Sequence, residues 1–206
     1  MNATVQRYIE QFLAPQREPL REIEEQYERS GPLPPPIGLE VGVLLDLLIQ
    51  ALDAQRVLEF GTALGFSTVM LARALGETGG RLVAVEADAA RVADTRRNLE
   101  AAGLDGCVEL VHGDASREIE RLDGPFDLIL QDAAKALYPS MLDACVERLR
   151  QRGILAADDG LFRPMGQREE MAGPIHSYNE RVFADPRLRS TILPIGDGLT
   201  LSVRIR

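Results

Sequence analysis

Four side chains near the middle of the chain have the types and spacing to do chemistry together. LILQDAAKALY puts Asp132 after an apolar run with Lys135 three residues on, and ILAADDG puts Asp158 and Asp159 after another such run. If the two runs are neighbouring parallel strands, three carboxylates converge at their carboxyl ends. Uncompensated, that clustering is costly. A divalent cation would relieve it, and all-oxygen ligation favours a hard ion, Mg²⁺, Mn²⁺ or Ca²⁺. The competing reading is a solvated acidic loop whose aspartates cap helices. The pairing of Asp-Asp with Asp-x-x-Lys on an adjacent strand favours the metal. Lys135 reads either as a cation paired with the acids or as a general base whose pKa a nearby dication pushes down.

A second constellation lies in LEFGTALGFST, Leu58 to Thr68. Gly61 lets the chain turn, and Gly65 is expected to let backbone approach a ligand. The spacing lacks the G-x-G-x-x-G of dinucleotide folds and the Gly-Lys-Ser/Thr of a P-loop. Glu59 further argues against phosphate and suits a ligand with a cationic group. Glu86 closes RLVAVE, where an acid can accept both hydroxyls of a ribose. VHGDAS puts Asp114 and Ala115 near an adenine edge. A ribose acid, a turn without phosphate chemistry and a nearby carboxylate point to S-adenosylmethionine. Taken singly, each of these acids is equally well read as capping a strand end.

These residues need a scaffold, and the hydrophobic pattern supplies one. Apolar runs at Arg56 to Phe60, Arg81 to Glu86, Cys107 to His112, Phe126 to Gln131 and Gly153 to Ala157 alternate with helical patterns. The helical patterns are Phe66 to Leu75, Asp88 to Ala102, Ser116 to Arg121 and Tyr138 to Arg150, with Gly103 as a C-cap. A buried helix, Leu39 to about Leu52, precedes them. Alternation at these lengths predicts an α/β fold, an open, doubly wound, mostly parallel sheet. A helix near Ile175 to Phe183 leads to two strands joined by Gly196-Asp197-Gly198, a hairpin that adds an antiparallel edge.

Ahead of the core, Val5, Tyr8, Ile9, Phe12 and Leu13 recur at helical spacing, as do Leu20, Ile23 and Tyr27, with Pro15 and Pro19 interrupting the two. SGPLPPPIG, Ser30 to Gly38, then reads as a stiff connector. The expected organisation is one domain over 1–206, with a helical arm and connector at 1–36 and a catalytic core at 37–206. The chain has 206 residues and a net charge of −9, which disfavours a broad nucleic-acid face. Cys107 and Cys145 read as reduced core thiols. The longest apolar run, Val41 to Ile49, is broken by Asp46 and too short for a bilayer, so a cytoplasmic protein without membrane contact is expected.

With these motifs in place, the chain from about Ile37 to Arg206 resembles the cation-dependent O-methyltransferases of the catechol and caffeoyl-CoA type, including small bacterial members. LEFGTALGFST, VAVEAD, Gly113-Asp114-Ala115, DAAK, ADDG and LPIGDGLTL carry the resemblance. It implies a seven-stranded, Rossmann-like methyltransferase sheet closed by the hairpin. It also implies that Glu59, Gly61, Gly65 and Ser67 line the methionine side of S-adenosylmethionine and that Glu86 holds the ribose. Ala115, beside Asp114, would meet the adenine, and Ile37 would cover the cofactor. Asp132, Asp158 and Asp159 would bind the metal, and Lys135 would be the base. Two positions depart from the pattern. Ala134 stands where many relatives carry an aspartate that helps hold the cofactor's ammonium, a role then left to Asp132 and Glu59. Asp159 stands where relatives usually carry asparagine.

The implied activity is methyl transfer to a hydroxyl of a small catechol-like or phenolic acceptor, with Tyr138 and Phe162 as aromatic walls or as ordinary packing. Three rivals stay open: a tRNA hydroxyuridine O-methyltransferase using a basic patch of Arg148, Arg150 and Arg152; a diverged cofactor-binding protein with weak activity; and an interaction protein acting through its arm. The amphipathic arm makes a homodimer the expected oligomer.

Overall fold

The structure is a computed structural model that describes residues 3–17, 20–31 and 33–206. Pro19 and Pro32 lie outside the described residues. Seven strands form one sheet: β1 (Arg56–Phe60), β2 (Arg81–Glu86), β3 (Val108–His112), β4 (Phe126–Gln131), β5 (Leu149–Ala157), β6 (Leu188–Leu193) and β7 (Leu199–Arg204). Their order is β3-β2-β1-β4-β5-β7-β6. The first five are parallel, and β7 runs antiparallel to both β5 and β6. Strand order reverses between β1 and β4, the switch point where sheets of this kind bind ligands beyond the strands' carboxyl ends.

Alternate residues of the central strands feed two cores. Val57, Leu128, Leu130, Ile154 and Ala156 pack with α3 (Leu39–Leu52) and α4 (Phe66–Thr78). Leu58, Phe60, Ile129, Leu155 and Ala157 pack with α6 (Ala115–Arg121), α7 (Tyr138–Arg148) and α8 (Glu169–Ala184). The remaining crossover helix, α5 (Ala89–Ala102), contributes Leu99 to the first core. The arm, α1 (Ala3–Arg17) and α2 (Arg21–Arg29), joins the same core through Leu20 and Ile23.

Strand pairing levels the site. Phe60 is in register with Gln131, and Gln131 with Ala157. The ladder continues one residue further: Asp132 donates its N–H to the Phe60 carbonyl at 2.9 Å, and Asp158 to the Gln131 carbonyl at 3.1 Å. Two acids on separate strands are thereby held at one height.

Several boundaries differ from the sequence reading. Pro15 lies within α1 rather than ending it, close enough to the helix end that its missing N–H interrupts only the last turn. α7 stops at Arg148, and β5 starts at Leu149, four residues before Gly153. A register irregularity at Phe126/Leu128 and the left-handed Arg152 (φ 65°) absorb the extra residues. Cys107 sits in a 3-10 turn ahead of β3, and α8 begins at Glu169 and carries Pro174 inside it. The hairpin's second strand, β7, inserts between β5 and β6, so β6 is the antiparallel edge.

Candidate active site

The carboxyl ends of β4 and β5 gather the predicted acids. Asp132, Asp158 and Asp159 each offer an oxygen within 4.8 Å of the others. Lys135 Nζ lies 2.8 Å from Asp132 Oδ1 and 2.7 Å from Asp159 Oδ2. A 3-10 turn, Lys135–Leu137, after β4 brings the lysine back over Asp132. Lys135 also donates to the Tyr138 hydroxyl at 3.1 Å, which in turn donates to the Gln131 carbonyl at 2.7 Å. Asp159 is left-handed (φ 68°), a conformation that aspartate and asparagine tolerate better than most residues. The next residues are pinned from across the sheet: Gly160 N–H donates to Gly198 O at 2.6 Å, and Leu161 N–H to Asp197 O at 3.0 Å.

Burial dominates the electrostatics here. It pushes Asp132 up to about 6, with Lys135 pulling the other way and Asp159 adding to the rise. It raises Asp158 well above the usual carboxylate range, helped by Asp132 and Asp159. Burial alone would lower Lys135, but Tyr138, Asp132 and Asp159 outweigh it and hold the ammonium protonated. The side chain of Lys135 therefore acts as the local counter-cation, bridging two of the three acids.

The glycine turn between β1 and α4 forms the other half. Glu59 is wholly buried, and Ser67 donates its hydroxyl to Glu59 Oε1. Gly61 has φ 89°, and a Cβ there would collide with the backbone of Asp132, so the β4 loop rests directly on this glycine. Gly65 caps α4 with φ 88°, and the space its side chain leaves faces Thr95 of α5. Gly65 thus serves turn geometry and helix packing at the start of α4. Glu86 braces the turn: Oε2 accepts from Thr62 and Ala63 N–H, both at 3.0 Å, and Oε1 from Asp88 N–H at 3.0 Å.

The remaining predicted residues fall around these two halves. Asp114 uses its carboxylate to cap α6, accepting from Ser116 and Arg117 N–H, with Ala115 buried at the first helical position. Ile37 is buried just ahead of α3. Tyr138 and Phe162 are buried in the second core, and Tyr138 stacks edge-on to Tyr178, so both serve packing rather than forming open walls. Arg148 ends α7 and Arg150 lies at the start of β5, roughly 25 Å from the acids by strand rise; they are committed to Leu122 O, Glu120 and Asp127.

Two features escape sequence reading. Tyr27 of α2 reaches the Leu64 N–H at 3.4 Å; in the sequence it is only the third member of an apolar stripe. Gln131 ends β4 fully buried, and its one signal is a polar residue closing the apolar run FDLILQ. Glu59 Oε2, Asp158 Oδ1 and both amide atoms of Gln131 are buried without a partner among the described residues. Unpaired polar atoms of this kind at the ends of β1, β4 and β5 are what a polar ligand and a cation would satisfy.

The O-methyltransferase family model matches residues 13–205. The protein named probable caffeoyl-CoA O-methyltransferase 1 of Dictyostelium discoideum is 30% identical over 169 residues, 77% of this chain and 73% of its own. A catechol O-methyltransferase of Niastella koreensis is 29% identical, covering 97% of this chain and 96% of its own. Among solved structures, an O-methyltransferase from Bacillus cereus in complex with SAH superposes with a TM-score of 0.85 at 28% identity, over 98% of this chain and 97% of that one.

Proposed function

The chain belongs to the O-methyltransferase family and is an S-adenosylmethionine-dependent methyltransferase; on that premise we propose that it methylates a hydroxyl of a small catechol-like or phenolic acceptor with the help of a divalent cation. The observation that carries this reading is the convergence of Asp132, Asp158 and Asp159 within 4.8 Å beside Lys135.

In this reading Asp132, Asp158 and Asp159 hold a hard cation, Mg²⁺, Mn²⁺ or Ca²⁺. When bound, such an ion supplies the positive charge that lowers an acceptor hydroxyl's pKa. Lys135 Nζ would serve as the base once it leaves the aspartates that hold it charged and gives up its own proton to solvent, so that the neutral amine can take the acceptor's proton. Glu59, with Ser67, and Asp132 face the methionine end of the cofactor and neutralise its ammonium, the role Ala134 cannot fill. Glu86 holds the turn in shape and offers its remaining lone pairs to the ribose. Ala115, positioned by the Asp114 cap, meets the adenine, and Ile37 covers it. A groove of about 500 Å³ begins at Gly160, the residue after Asp159, and has Leu161, Pro164, Ile175 and Phe183 in its lining beside Arg163, His176 and Glu180; its apolar part supports an apolar acceptor. Much of the rate gain would come from holding oxygen and methyl at about 3 Å.

The arginines at the α7–β5 junction do not favour a tRNA acceptor, since they lie at the far end of the strand from the acids. Val5, Tyr8 and Phe12 are exposed along α1, which supports self-association through the arm, and sedimentation velocity tests it.

The deciding experiment is methyl transfer to a catechol panel with S-adenosylmethionine, with and without Mg²⁺, beside Asp132→Ala. Metal-dependent turnover lost in the variant is expected. Cofactor and metal binding without turnover on any small acceptor would redirect the search to a tRNA substrate. A chain that binds no divalent ion would overturn the reading of the acids.

A further inference from the structure

We propose that the N-terminal arm completes the cofactor site: the Tyr27 hydroxyl donates to the carboxylate at the methionine end, and Gln26 and Asn98 position it there. This rests on the reading above, that the Gly61 to Gly65 turn cradles S-adenosylmethionine.

The argument starts from the donors of that turn. Gly61 N–H goes to Val85 O, and Gly65 N–H to Thr62 O. Thr62 and Ala63 N–H go to Glu86, and Leu64 N–H to the Tyr27 oxygen. The Ser67 hydroxyl is committed to Glu59. Every N–H from Gly61 to Gly65 is therefore taken. The nearby side chains Glu59 and Asp132 are acids, which repel a ligand carboxylate. A donor must come from elsewhere: the first turn of α4, the Arg91 guanidinium, which lies within Coulomb reach of the Tyr27 phenol, and that phenol itself are candidates. Tyr27 accepts from Leu64, so its own proton is free, and among the described residues none is within hydrogen-bond reach to accept it.

Its position is fixed from both sides of Leu64. The Leu64 carbonyl accepts from Asn98 Nδ2 at 2.7 Å. Asn98 also exchanges two amide hydrogen bonds with Gln26, at 3.0 and 2.9 Å. Adjacent residues of α2 thus grip the N–H and, through Asn98, the carbonyl of one turn residue. Buried Leu20 and Ile23 seat the helix on the core. Burial first, then the neighbouring Asp132 and Glu59, raise the phenol to about 12, so it stays protonated and able to donate while lying within Coulomb reach of both acids.

Calorimetric titration of S-adenosylmethionine and its decarboxylated analogue tests the proposal, using wild type, Tyr27→Phe, Gln26→Ala and Glu59→Gln. Thermal melts confirm that each is folded. A hydrogen bond to a charged group implies about a tenfold loss or more. Tyr27→Phe is expected to weaken S-adenosylmethionine to that extent and to leave the decarboxylated analogue unchanged. Gln26→Ala should give a smaller loss with the same selectivity. Equal weakening of both ligands would reduce Tyr27 to a structural brace and overturn the proposal. So would unchanged binding in Tyr27→Phe alongside a loss in Glu59→Gln, with the cofactor site still standing. Unchanged binding in Glu59→Gln would remove the site reading and the proposal with it.

Discussion

Lys135 Nζ lies 2.7 Å from Asp159 Oδ2, a direct ion pair at a position where the resemblance leads one to expect a neutral asparagine. The same ammonium also holds Asp132, so a divalent ion bound as proposed would compete with the lysine for the same oxygens.

That competition has a chemical readout, because Lys135 is the only lysine in the sequence. An ammonium bound by two carboxylates reacts slowly with acylating reagents, which need the free amine. Saturating Mg²⁺ should speed modification of Lys135 relative to the N-terminal amine, followed by peptide mass spectrometry. An unchanged ratio would mean that the ion and the lysine do not share ligands.

Asp159→Asn removes one negative charge from the seat and one partner of Lys135. Divalent-ion affinity is expected to fall about tenfold, on the order of one charge-assisted contact, with turnover retained at saturating metal. Calorimetric metal titration checks the first part and initial rates the second.

Glu59 makes the protein's pH response diagnostic. Burial, offset in part by Ser67 and reinforced by Asp132 and Glu86, pushes its carboxyl from 4.5 up to about 8. Between those values the folded state keeps a proton that the unfolded state has lost. Its contribution therefore lowers the ligand-free protein's stability as pH rises from about 4.5 to about 8, and is constant above that. Denaturant melts at pH 5 and pH 8.5 should show this slope diminished in Glu59→Gln. A cationic cofactor reverses the preference, so its affinity should rise toward pH 8 with release of a proton, detected calorimetrically in buffers of different ionisation enthalpy.

Glu86→Ala orphans the N–H groups of Thr62, Ala63 and Asp88. The expected cost is about 2–4 kcal/mol of stability, seen in urea midpoints, together with loss of cofactor binding.

Gly61→Ala places a methyl group against the Asp132 backbone and strains a left-handed position. Cofactor and metal affinities should fall together, because one substitution displaces both loops. Independent titrations that show only one affected would contradict the contact.

Most of the scaffold is legible in the sequence because each central strand ends where an apolar run meets an acid: Phe60 follows Glu59, Val85 precedes Glu86, and Gln131 precedes Asp132. The acids also mark the site, since parallel strands bring such ends to one level. The α7–β5 junction is not legible, because Leu149 fits both the helix face and the first strand position, and no glycine or proline separates them. Tyr27 is hidden for a different reason. Its apolar ring accounts for its place in the stripe, and the partner of its hydroxyl is 37 residues away. Gly65 is visible as a special backbone position, but Thr95, which fills the space beside it, lies on the next crossover helix.

The grip of Gly198 and Asp197 on Gly160 and Leu161 sets an order in time. The glycine turn and its Glu86 brace come from one crossover, closed over a loop of moderate length. The loop carrying Asp158 and Asp159 takes its form only when the hairpin near the end of the sequence folds back and β7 slips between β5 and β6. Contacts of such separation form late. A refolding chain should therefore regain its grip on the cofactor before it regains turnover, and the lag between the two is the time the last strand needs to find its slot.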